Sequence, residues 1–102
     1  MVTEWTSENF SHVTKKGVTL TNFWAAWCGP CRMQSPVIEQ LEKEMDNVVF
    51  GKVNVDNNQT IAEEYGVMSI PTLVIQKDGQ VVDTLTTYCD KEALKAKLEK
   101  YI

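Results

Sequence analysis

FWAAWCGPCRMQSP, residues Phe23 to Pro36, is the stretch on which the fold turns. Two cysteines, Cys28 and Cys31, are separated only by Gly29 and Pro30. Upstream, Val18 to Trp24 is β-rich and mostly apolar, with Thr19, Thr21 and Asn22 as its polar members. Downstream, from Cys31 to about Met45, the apolar residues Val37, Ile38, Leu41 and Met45 recur at helical spacing. The cysteine pair therefore sits where a strand ends and a helix begins. Pro36 falls inside that helix, and its missing backbone donor predicts a kink.

Strand and helix signals alternate on both sides of this junction. Thr3 to Thr6 reads as a short edge strand. Ser7 reads as a helix cap, with Phe10 and Val13 on one face and Gly17 as the stop. Val48 to Val55 is a second apolar strand. Asn57 or Asn58 caps a short helix, with Ile61, Ala62 and Tyr65 facing in and Gly66 ending it. Pro71 to Gln76 and Val81 to Leu85 are strands joined through Lys77-Asp78-Gly79, a hairpin signal. Asp90 caps a last helix with Leu94, Leu98, Tyr101 and Ile102 as its buried stripe. The order β-α-β-α-β-α-β-β-α calls for parallel pairing across the helical crossovers and one antiparallel hairpin. The fold class is α/β, a mixed sheet covered by helices.

Bulk properties narrow the function. A chain of 102 residues is expected to form one domain spanning 1–102, with a core that needs no staple. A net charge of −4 with no basic run argues against nucleic acid or anionic membranes as partners. No apolar run reaches the roughly 18–20 residues of a membrane span. The first ten residues show neither a basic nor an apolar leader segment, so the expected location is cytoplasmic. Three cysteines are too few for a secreted disulfide scaffold.

Three readings of the cysteine pair stand side by side: half of a metal clip, a structural staple, or a redox couple. A zinc site needs about four ligands, and the spacing of Cys89 and His12 supplies no second half. A reducing compartment would open a staple. The strand-to-helix setting favours the redox couple. The first amides of a helix lack internal partners, and the helix dipole puts partial positive charge there. Both stabilise a thiolate at Cys28, the nucleophile of disulfide exchange. Cys31, one turn in, is placed to attack a mixed disulfide from within. Pro30 costs little at the start of a helix, where its missing N–H would be unpaired anyway.

The segment FWAAWCGPC resembles the active-site segment of the thioredoxin family. Further motifs follow in that family's order: Pro36, KVNVD at Lys52 to Asp56, YGVMSIPT at Tyr65 to Thr72, and KDG at Lys77 to Gly79. The resemblance covers essentially the whole chain. It implies a thioredoxin fold, with a mixed five-stranded sheet flanked by four helices. It implies a protein-disulfide reductase in which Cys28 attacks substrate disulfides and Cys31 resolves the mixed disulfide. Thioredoxin reductase and disulfide-containing proteins are the implied partners. NADPH binds the reductase, so no cofactor is expected on this chain, which is expected to be a monomer. Pro71 matches the family's cis-proline, beside the cysteines, where the Ile70 backbone can pair with an extended substrate segment. Trp27, Gly29, Pro30, Ile70 and Pro71 match the docking rim, and Trp24 is expected to pack beneath it.

Two departures matter. Asn22 stands where the family usually buries an aspartate, near a lysine that Lys52 matches. An amide does not titrate near neutrality and cannot take the proton of the resolving cysteine. Either the resolving step is slower for it, or Asn22 merely packs while water or Lys52 handles the proton. Lys52 is alternatively a side chain reaching solvent at a sheet edge. Thr87 lies where the family usually has glycine, and its side chain narrows or reshapes the substrate groove. Arg32 replaces a common lysine and keeps its charge. Cys89 reads as a small buried hydrophobe, with regulatory oxidation or a disulfide-linked dimer as the alternative. His12 reads as solvent-facing. Two further functions remain open: a specialised redox partner with a narrow target range, and a scaffold that uses the same rim.

Overall fold

A computed structural model describes residues 2–102. Among them are five strands and four helices, in the chain order read from the sequence: β1 (Thr3–Glu4), α1 (Phe10–Val13), β2 (Val18–Trp24), α2 (Gly29–Glu44), β3 (Val48–Asn54), α3 (Gln59–Glu64), β4 (Thr72–Lys77), β5 (Gln80–Leu85) and α4 (Lys91–Glu99). The strands form one sheet in the order β1-β3-β2-β4-β5. β3 runs parallel to both β1 and β2, while β4 runs antiparallel to β2 and β5. β2 is thus flanked on both sides, which explains a strand with almost no exposed residue.

The period-two alternation of the strands divides two cores between the faces of the sheet. Val18 and Leu20 of β2, Val48 and Phe50 of β3, and Leu73 and Ile75 of β4 pack with Ile38 and Leu41 of α2 and Leu94 and Leu98 of α4. Phe23, Val53 and Val74 point the other way, toward Trp5, Phe10 and Ile61. On that face Phe10 packs edge-on to Tyr65, with ring centroids 5.1 Å apart, and Trp5 packs edge-on to Phe10 at 6.2 Å. The Trp5 ring lies on the backbone of Gly51. A Cβ at that position would fall 2.1 Å from the indole, so only glycine fits.

The Asp-Gly signal is realised as a two-residue turn. Asp78 and Gly79 have φ of 50° and 85°, the left-handed pair that matches the twist of the flanking strands. The turn is also tied down. Gly17, itself left-handed at φ 72°, donates to Asp78 Oδ1 at 2.8 Å, and the Asp78 N–H donates to the Gly17 carbonyl at 2.9 Å. α2 runs unbroken through Pro36.

Three local readings are corrected. Ser7 is not a helix cap: α1 begins at Phe10 after Asn9, and the Ser7 N–H donates to Asn58 Oδ1 across the fold at 3.0 Å. Asn58 does precede α3, but its side chain makes no capping bond there, because its amide is spent on Ser7 and on the Asn54 carbonyl. Ile102 is half exposed beyond the end of α4, so the buried stripe consists of Leu94 and Leu98, with Tyr101 partly buried. Asp90 caps α4 as expected, its Oδ1 accepting from the Ala93 N–H at 2.9 Å.

Candidate active site

β2 delivers the chain to the redox pair from the centre of the sheet, and α2 begins on it. Cys28 is the N-cap of α2, with extended backbone, and Gly29 and Pro30 form the first helical positions. The Cys31 N–H points at Cys28 Sγ, 3.2 Å away, so a free helix amide is directed at that sulfur. Cys28 and Cys31 are joined as a disulfide, with Cα atoms 5.3 Å apart. Both are almost wholly buried, in a small cluster with Ala25 that Trp24, Val55 and Ile70 flank. Arg32 folds back to donate to the Ala26 carbonyl at 3.3 Å, bracing the turn that leads into the pair.

The Ile70–Pro71 bond is cis, as the sequence resemblance implied. The Ile70 carbonyl oxygen lies 3.7 Å from Cys28 Sγ. Thr72 Oγ1 donates to the Ser69 carbonyl at 2.5 Å and holds the chain on either side of the proline together. Beside this segment is an open groove of about 310 Å3, lined by Trp27, Val55, Val67, Met68, Ser69 and Ile70. Trp27 is 69% exposed, and its Nε1 donates to Asp56 Oδ2 at 2.9 Å, which fixes the indole at one wall. Gly29 and Pro30 are exposed on the helix start, outside that lining.

Sequence reading missed Asp56, Val55, Val67 and Met68 as members of this surface. Asp56 and Met68 belong to the KVNVD and YGVMSIPT motifs, but nothing local indicates that Asp56 reaches Trp27, 29 positions away. Met68 is almost fully exposed, an apolar side chain whose position at the groove explains why it faces water. Thr87 is exposed on the connection between β5 and α4 and does not line the groove.

Asn22, on β2, is buried to 1% exposure, and its Oδ1 has no hydrogen-bond partner among the described residues. Lys52 is its register partner on β3. The two share a recess of about 10 Å3 with Ser35, Ile38 and Glu39. The Lys52 ammonium lies 5.3 Å from the Trp24 ring centroid and 4.0 Å from Glu4 Oε1. Lys52 is thus both near Asn22 and able to reach the surface.

The third cysteine, Cys89, is a half-buried thiol packed against the α2/α4 core. Burial raises its pKa, and the neighbouring Asp90 carboxylate adds to the effect. His12 is exposed. Among the described residues, no group of three or more His, Cys, Asp or Glu side chains is arranged to hold a metal ion.

The thioredoxin family model matches residues 1–100. A thioredoxin of Bacillus subtilis is 50% identical over 98 residues, covering 95% of this chain and 94% of that one. A thioredoxin of Listeria monocytogenes is 47% identical over 103 positions, covering both chains fully. Among solved structures, a mutant thioredoxin from Halobacterium salinarum has a TM-score of 0.91 at 39% identity, covering 98% of this chain and 88% of that one. The thioredoxin of Malassezia sympodialis has a TM-score of 0.90 at 37% identity, with 99% and 90% covered. A disulfide-forming pair at the head of a helix, on this sheet and with these relatives, makes the chain a member of the thioredoxin family of thiol–disulfide oxidoreductases.

Proposed function

We propose that Cys28 is the attacking and Cys31 the resolving sulfur of a protein-disulfide reductase. The observation that carries this assignment is the direction of the Cys31 N–H, which donates to Cys28 Sγ at the dipole-positive end of α2. In the dithiol state the Cys28 thiolate attacks one sulfur of a substrate disulfide. A mixed disulfide forms and the first substrate thiolate leaves, taking up a proton. The Cys31 sulfur, deprotonated, then attacks Cys28 Sγ. The Cys28–Cys31 bond forms, the second substrate thiol is released, and two electrons have passed to the substrate.

The groove between Trp27 and Ile70 receives the substrate segment, with Gly29, Pro30, Pro71 and Thr87 completing the rim. The Ile70 backbone offers hydrogen-bonding groups to an extended chain. Trp24, Asn22 and Lys52 support the pair from behind. Regeneration falls to thioredoxin reductase drawing on NADPH, with the cofactor on the reductase. The protein acts as a single-domain cytoplasmic monomer. Among the described residues no helix is long and apolar enough to cross a membrane.

Equilibration in graded thiol–disulfide buffers tests the direction of electron flow. A potential near about −270 mV, the known value of a thioredoxin rather than one derived from this geometry, supports a reductant. A value of about −120 to −180 mV, in the oxidase and isomerase range, overturns the reductase assignment. Cys31→Ser should accumulate mixed disulfides with protein substrates, and Cys28→Ser should not. Trapping by Cys28→Ser instead would reverse the roles of the two sulfurs.

A further inference from the structure

One helical turn beyond the cysteines lies a buried amide with both hydrogen-bonding ends satisfied. Gln34 is three residues after Cys31 on α2, on the same side of the helix, and is wholly buried. Its amide grips the backbone of Cys89 at both ends. The Cys89 N–H donates to Gln34 Oε1 at 2.9 Å, and Gln34 Nε2 donates to the Cys89 carbonyl at 3.0 Å. A buried amide without partners is costly, and an apolar side chain would fill the same space. What the amide adds is a fixed position for a segment that has no regular structure of its own.

That segment is the connection from Thr86 to Cys89, between β5 and α4. Gln34 holds its far end. Its near end is held by Ser69 Oγ, which donates to the Thr86 carbonyl at 3.5 Å. Ser69 precedes Ile70, whose carbonyl lies 3.7 Å from Cys28 Sγ. One anchor therefore belongs to α2, which carries the redox pair, and the other to the Ile70–Pro71 segment, which lies against Cys28. Thr87 and Tyr88 stand exposed between the two anchors.

We infer that Gln34 is a positioning residue for substrate docking: its two bonds to Cys89 hold Thr87 in register with the Cys28–Cys31 pair. The inference rests on the proposed assignment of Trp27, Ile70 and Thr87 to substrate binding, with Thr87 outside the lining of the groove itself. It separates Gln34 from the chemistry, because no bond from the Gln34 side chain reaches either sulfur. Loss of the bracket weakens recognition of a protein substrate that spans the rim. It leaves reaction with a small disulfide, which needs only Cys28, unchanged.

The test compares Gln34→Met and Gln34→Glu with the parent chain, using insulin as the protein substrate and a small aromatic disulfide as the control. Gln34→Met keeps length and helix propensity but makes neither bond. It should raise the KM for insulin about fivefold with kcat and the small-disulfide rate unchanged. Gln34→Glu supplies a built-in rescue. Its protonated carboxyl can donate to the Cys89 carbonyl and accept from the Cys89 N–H, whereas its carboxylate can only accept. Its insulin KM, relative to the parent at each pH, should match at mildly acid pH and rise in alkali. An insulin KM that stays at the parental value in Gln34→Met overturns the inference. Should that variant fail to fold, a Gln34→Glu KM that tracks the parent at every pH overturns it equally. Trp27→Ala separates the role of Gln34 from that of the rim. If it raises the insulin KM and Gln34→Met does not, only the role of Gln34 falls. If neither variant raises it, the docking rim itself is wrong and the inference falls with it.

Discussion

Asn22 and Lys52 stand opposite each other across the parallel β2–β3 pair, and the buried Asn22 Oδ1 beside them accepts no hydrogen bond from any described residue. A neutral amide tolerates that setting better than a carboxylate, whose charged form loses far more on leaving water.

Asn22→Asp should therefore destabilise the fold at neutral pH by roughly 2–3 kcal/mol. Burial raises the folded-state pKa of the new carboxyl above its unfolded value. The penalty is thus absent below the unfolded pKa, grows as pH rises, and is complete above the folded pKa. Chemical denaturation across pH should show parent and variant converging in acid. The same variant should release a mixed disulfide faster, because a carboxylate can act as a general base where an amide cannot. Equal or slower release in rapid-mixing experiments would defeat the catalytic half of this prediction.

Gly51→Ala should be among the most damaging single-methyl additions in the chain. Its Cβ would collide with the Trp5 indole, which is itself buried between β3 and Phe10. Overpacking of this kind costs about 3 kcal/mol when the neighbour cannot move. Thermal or urea unfolding measures it, and a loss below about 1 kcal/mol would mean that the indole can shift.

Asp56→Ala removes the acceptor that holds the Trp27 indole. The freed ring should raise the KM for a protein disulfide a few-fold and change the tryptophan fluorescence of the reduced protein, with stability nearly unchanged. An unaltered spectrum would show that Asp56 does not hold the ring in solution.

Alkylation should separate the cysteines of the reduced protein. Burial and Asp90 hold the Cys89 thiol above its ordinary pKa, so it stays protonated and slow at neutral pH. Cys28 should react first, as judged by mass mapping after brief exposure to a haloacetamide. Labelling of Cys89 at an equal rate would contradict this order.

Glu44 pairs with Lys91 and Lys95 and links α2 to α4 at the surface. The hydrogen bond to Lys91 lowers the Glu44 pKa, and the same bond raises that of Lys91. For the carboxylate, the stabilisation is present above its unfolded pKa and lost as pH falls through the lower folded value. For the ammonium, it is present below its unfolded pKa and lost as pH rises through the higher folded value. The link therefore operates across the middle of the pH range. Glu44→Gln should lower the melting temperature slightly at neutral pH, less so in high salt and not at all in strong acid. A salt-independent loss would point to packing rather than charge.

The element order, the tight turn at Asp78-Gly79, the cap at Asp90 and the position of Cys28–Cys31 at a strand-to-helix junction were all determined by sequence alone. Each depends on chemistry within a few residues: hydrophobic period, left-handed turn geometry, a side chain reaching the next free amides, and the one-turn spacing of the two sulfurs. The central place of β2, the ring of Trp5 on Gly51, the reach of Asp56 to Trp27 and the grip of Gln34 on Cys89 belong to the tertiary structure. So does the fate of Ser7 and Ile102, which carry ordinary cap and core signals and end with a distant asparagine and with solvent. These outcomes follow from which faces meet when the sheet closes. Residues 29 to 55 positions apart then become neighbours and compete for bonds that local periodicity had assigned elsewhere.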